Sequence, residues 1–110
     1  MENIGETLQR IENLVGGHDA RVVLQQVRRD LVESIKSLDR SALAENAKSF
    51  RSALHGLAGT LSTFGFCNTY DECQSLVNSP ADVVPDFEEL RRRVLIIASQ
   101  LEEALGVSEF

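Results

Sequence analysis

The chain has 110 residues, 43% of them hydrophobic and 25% charged, with 17 acidic against 11 basic side chains and a formal net charge of −6. That length suits one domain with its own core and is short for two. Five Phe, one Tyr and no Trp point to a folded chain packed mainly through aliphatic side chains, and the acidic balance argues against a nucleic-acid surface, which needs clustered positive charge.

The opening Met1-Glu2-Asn3-Ile4-Gly5-Glu6 shows neither a basic stretch leading into an apolar one nor a lipidation signal. No apolar run approaches the roughly 20 residues a membrane span requires, so a cytoplasmic protein without membrane contact is expected.

Helical periodicity appears five times along the chain, and strand alternation essentially never. Ile4, Leu8, Ile11 and Leu14 form a short amphipathic segment that stops at Gly16-Gly17. A second helix is expected from about Asp19 as N-cap, with Val23, Leu24, Val27, Leu31, Ile35 and Leu38 on one stripe and Arg28, Arg29, Asp30, Glu33 and Lys36 largely away from it. Asp39 or Ser41 is the expected cap of a third helix. There Leu43, Ala47, Phe50, Leu54, Leu57, Leu61 and Phe64 alternate by four and three, ending at Gly65 in a left-handed cap. From residue 41 to 64 this helix would measure roughly 36 Å.

Phe66, Tyr70, Cys73, Leu76 and Val77 mark a shorter fourth helix that stops near Asn78-Ser79-Pro80. The stretch from Pro80 to Pro85 is a loop, because proline lacks a backbone donor and disfavours helix in the residue before it. Phe87, Leu90, Val94, Ile97, Leu101 and Leu105 define a fifth helix closed by Gly106, and Val107 to Phe110 are expected to fray. Short connections between amphipathic helices predict an all-α fold, an antiparallel up-and-down four-helix bundle with a short additional N-terminal helix, forming one domain over residues 1–110.

One histidine stands apart. His55 occupies the run Leu54-His55-Gly56-Leu57-Ala58-Gly59, where helical periodicity continues through two glycines. Each glycine costs a helix interior about 1 kcal/mol relative to alanine, a cost that calls for a reason beyond folding. At 100° per residue His55 falls roughly 135° from the centre of the apolar seam, so it should face solvent. Lys48, Arg51, Ser52, Gly59 and Ser62 lie on the same side, one and two turns away. Gly59, with no Cβ, leaves room beside the imidazole.

His55-Gly56-Leu57-Ala58-Gly59, then Phe64-Gly65-Phe66, Cys73 and Leu76, resembles the core motif of histidine-containing phosphotransfer (HPt) domains. That family's pattern is a histidine, a hydrophobic residue at +2, lysine at +3, glycine at +4, glycine at +10 and a hydrophobic residue at +11. Leu57, Gly59, Gly65 and Phe66 fill four of these places, and Ala58 stands where the family has lysine. The motif spans residues 55 to 76, while chain length and helix order extend the likeness over nearly the whole chain.

The resemblance implies a four-helix bundle with an exposed phosphoacceptor histidine, acting as a standalone stoichiometric phosphocarrier in two-component signalling. His55 would accept a phosphoryl group from an aspartyl phosphate and pass it to another receiver. The expected partners are response-regulator receiver domains or a hybrid sensor histidine kinase, with the chain itself a monomer. Any Mg²⁺ would sit on the receiver, and this chain would bind no cofactor. Gly59, Arg51, Lys48 and Ser62 are the expected support of the phosphoryl site, with Arg51 and Lys48 offsetting the missing lysine. Ser52, Gly56, Ala58 and Gly59 are the expected partner contacts.

Two other readings compete. A non-catalytic adaptor of the same fold would bind a kinase or receiver without transfer, the alanine at 58 leaving His55 unreactive. In the phosphoacceptor helix of a sensor kinase an acidic residue typically follows the histidine, where Gly56 stands here, and no glycine-rich nucleotide-binding segment follows.

A metal enzyme is disfavoured. His18 has no ligand spacing to His55 or the cysteines and reads as an ordinary residue of the turn, while Cys67 and Cys73 read as free structural thiols. Arg91-Arg92-Arg93 spreads over some 200° of helix surface and reads as a solvated face balancing Glu88 and Glu89.

Overall fold

Five α-helices account for the secondary structure of residues 4–106, the part of the chain that the computed structural model describes. They are α1 (Ile4–Val15), α2 (Gly17–Leu43), α3 (Ala47–Thr63), α4 (Cys67–Val77) and α5 (Glu88–Leu105). Residues 1–3 and the expected frayed end, residues 107–110, lie outside it, as do the side chains of Ile4 and His18. Among the described residues there is no strand, and no helix is long and apolar enough to cross a membrane. The fold class is all-α.

Every apolar stripe read from the sequence supplies core. Leu24, Val27, Leu31, Ile35 and Leu38 of α2 meet Phe50, Leu54, Leu57 and Leu61 of α3 and Leu90, Val94, Ile97, Leu101 and Leu105 of α5 in one buried cluster. Cys73 enters it from α4 and Ile11 from α1. Leu14, expected on the α1 stripe, is instead 77% exposed, and Thr7 is buried in its place. Phe50 and Phe87 meet edge to face, ring centres 5.0 Å apart, so the start of α3 is pinned beside the entry to α5.

The helices α2 to α5 contact one another in a closed cycle, α2 with α3, α3 with α4, α4 with α5 and α5 with α2. Helix α1 lies against α2 and α5. The 27 residues of α2, roughly 40 Å of helix, set the 44 Å long dimension of the molecule.

Three boundaries differ from expectation. Helix α2 starts at Gly17 behind Gly16, so Asp19 lies inside the first turn, where its charge still favours the positive helix end. At its other end α2 runs through both Asp39 and Ser41 to Leu43, so neither caps α3 and Leu43 is 87% exposed. The third helix therefore has 17 residues, roughly 26 Å. Its N-cap is Asn46, whose side chain accepts the Ser49 N–H at 3.1 Å.

What ends α2 is a left-handed turn at Glu45, φ 52°. The Glu45 N–H donates to the Ala42 carbonyl and the Asn46 N–H to the Ser41 carbonyl, which satisfies the helix end without glycine or proline. At the end of α3 the same closure uses Gly65, φ 76°, with Gly65 N–H to Ser62 O and Phe66 N–H to Leu61 O. Phe66 and Leu61 are both buried there, the apolar contact that accompanies such a cap.

Candidate functional site

His55 lies at the midpoint of α3, eight residues from either end, and is exposed. Burial of Phe50, Leu54, Leu57 and Leu61 fixes the rotation of the helix, and that rotation turns His55 outward. Lys48, Ser52, Gly56, Gly59 and Ser62 are exposed as well, so the helix presents them together on one face.

Neither glycine is required by packing. A Cβ at Gly56 or Gly59 would meet nothing within 4 Å, so no neighbouring helix explains either one. The space beside the imidazole is open. Two threonines that the sequence reading passed over act on these positions: Thr60 Oγ1 donates to the Gly56 carbonyl at 3.4 Å, and Thr63 Oγ1 to the Gly59 carbonyl at 2.8 Å. The spacing, a threonine four residues after a glycine, was visible in the sequence as a helix back-bond.

Two expected site residues turn away. Ala58 is only 7% exposed, because that flank of α3 packs on α4, so it is not a contact surface for a partner. Arg51, one turn before His55, lies on the same flank and is half-buried. Its Nη1 donates to the Val77 carbonyl and its Nη2 to the Ser79 carbonyl at 2.7 Å, while its Nε is buried with no partner among the described residues. It closes the C-terminus of α4, whose last carbonyls carry partial negative charge, and does not extend toward His55. Lys48 is therefore the one cation of α3 left on the exposed face.

The other flank, toward α2, is a shallow groove of about 300 Å³ in which Asp30, Glu33 and Ser34 face Ala53, Gly56 and Thr60. Farther along the same seam a second groove, of about 450 Å³, holds Ser37, Arg40 and Ser41 of α2 opposite Asn46, Ser49 and Ser52. Carboxylates thus border the glycine side of His55, and a guanidinium lies beyond Ser52.

The arginine triplet divides. Arg91 forms a two-pronged bridge to Asp39 of α2, its Nε and Nη2 each 3.2 Å from a carboxylate oxygen. Arg92 and Arg93 both pair with Glu89, and hydrogen bonds from them, Arg92 first, hold that carboxyl below its usual range. Cys67 is exposed at the start of α4. Cys73 is buried, donates to the Leu54 carbonyl at 3.4 Å, and has its thiol pKa pushed by burial to about 11. Among the described residues no three His, Cys, Asp or Glu side chains cluster to hold a metal ion.

Fold and site together define a compact all-α protein that presents one histidine on an open, glycine-flanked helix face. Compared with protein-family models, with curated proteins and with solved structures, the chain matches none.

Proposed function

We propose that this chain is a histidine phosphocarrier of the phosphotransfer-domain type, with α2 to α5 as an antiparallel up-and-down four-helix bundle and α1 as an added N-terminal helix. The observation that carries the reading is His55, exposed at the midpoint of α3 beside a Gly59 that no packing contact explains. The closed cycle of helix contacts and the three-residue link between α2 and α3 support the bundle.

In the proposed reaction the neutral imidazole attacks the phosphorus of an aspartyl phosphate through Nε2, the ring nitrogen farther from the backbone. The N–P bond forms as the acyl O–P bond breaks, and the aspartate leaves as carboxylate. Reversal toward a second receiver empties His55. Positioning and charge neutralisation carry phosphoryl transfer, and the receiver supplies the Mg²⁺. Lys48 contributes positive charge from this chain, and Ser52 and Ser62 offer hydroxyl donors. The chain works as a cytoplasmic monomer, and its partners are receiver domains or a hybrid sensor kinase.

A second reading, an adaptor that binds such a partner without transfer, is favoured by one observation: Ala58 is buried and Arg51 is committed to α4, which leaves the face with Lys48 alone. Incubation with a phosphorylated receiver separates the two. Acid-labile phosphate on the wild type and none on His55→Gln is the result expected of a carrier. Stable binding of the receiver with no phosphate on either protein establishes the adaptor.

A further inference from the structure

Between the C-terminal end of α2 and the start of α3 lies the groove of about 450 Å³, of whose lining the proposed function uses only Ser52. Its polar lining is Ser37, Arg40, Ser41, Asn46, Ser49 and Ser52, four hydroxyls, an amide and a guanidinium, with no carboxylate among them. That composition stands out in a chain carrying 17 acids and a net charge of −6.

These groups are available as donors. Ser41, 8% exposed, lines the groove with a hydroxyl that can donate into it. Arg40 is exposed, and among the described residues its side chain bonds only to the Ser37 hydroxyl, at 3.2 Å, a neutral partner that leaves its charge uncompensated. The Asn46 side-chain oxygen is engaged by the Ser49 N–H, so its amide nitrogen is the free end. The carbonyls that close α2 are bonded within the turn: those of Arg40, Ser41 and Ala42 receive the Ala44, Asn46 and Glu45 N–H groups.

We propose that this groove binds a small phosphomonoester, its phosphate held by Arg40 with the Ser41, Ser49 and Ser52 hydroxyls and its organic part lying along the α2–α3 seam toward Ala53. Guanidinium and hydroxyl donors suit a doubly charged, many-lobed oxyanion. A volume of about 450 Å³ exceeds what a lone phosphate fills and falls within the range of small-molecule sites. The site borders the His55 face through Ser52 but does not include His55, and it stands whether or not His55 is a phosphoacceptor.

The test is a titration of the ¹⁵N-labelled full-length chain with glycerol phosphate and, separately, inorganic phosphate, at ionic strength matched with chloride. The expected result is saturable shifts at the Ser37, Arg40, Ser41, Ser49 and Ser52 amides, tighter for glycerol phosphate. Arg40→Gln should weaken binding by about tenfold or more, in line with loss of a charge-assisted pair. Ser41→Ala should weaken it severalfold, and His55→Gln should leave it unchanged. Unsaturable shifts, shifts spread over the exposed arginines Arg21 and Arg29, or equal binding by a folded Arg40→Gln overturn the proposal. Inorganic phosphate binding as tightly as glycerol phosphate overturns the assignment to a phosphomonoester.

Discussion

Gly59 and Arg51 stand one turn on either side of His55 and do opposite things. A methyl group at Gly59 meets nothing within 4 Å among the described residues beyond its own helix turn, so Gly59→Ala should stabilise the fold by about 1 kcal/mol through helix propensity alone. Under the proposed function the same methyl narrows the space for the phosphoryl group and the receiver. Denaturant midpoints should therefore rise while phosphate uptake from a receiver falls, and a variant that gained stability and kept full uptake would detach Gly59 from the site. Arg51→Met should lose two hydrogen bonds to the carbonyls of Val77 and Ser79. A cost of about 2 kcal/mol is expected, read as a lower unfolding midpoint. Arg51, expected with Lys48 to bring charge beside the histidine, is held instead at the end of α4, where its guanidinium meets the carbonyls of Val77 and Ser79.

At the scale of elements, the α2–α3 turn is where periodicity misled. Leu43, Ala47 and Phe50 keep the four-and-three spacing straight through the residues that reverse the chain, and no glycine or proline marks the reversal. The turn rests on Glu45 at φ 52°, a conformation that costs most side chains roughly 1–2 kcal/mol. Glu45→Gly should accordingly stabilise the protein by about 1 kcal/mol, offset slightly by the added freedom of the unfolded chain, and thermal unfolding measures it. Gly65, which does the same work at the end of α3, was legible because the residue type matched the geometry.

For the molecule as a whole, pH reports on the core through Cys73. Its thiol pKa is about 11 in the folded protein against an ordinary value of 9.0, so the folded state holds the proton more tightly than the unfolded chain does. The contribution is complete below pH 9, declines between pH 9 and 11 as only the unfolded thiol ionises, and levels off above that. Stability of the wild type should fall more steeply across that window than that of Cys73→Ala, measured by denaturation at stepped pH. Thiol reagents at neutral pH should label exposed Cys67 quickly and reach Cys73 only through unfolding.

Sequence by itself determined the helix content, the buried stripes, the stop at Gly65 and the outward direction of His55. Each follows from 3.6-residue periodicity and local backbone chemistry, which act within a few residues. Only the tertiary structure decided what surrounds the histidine. Whether Ala58 is covered, where the Arg51 guanidinium finds its carbonyls, and which hydroxyls of α2 face those of α3 depend on helices distant in sequence meeting in space. The short-range pattern thus placed the histidine, and packing chose its neighbours.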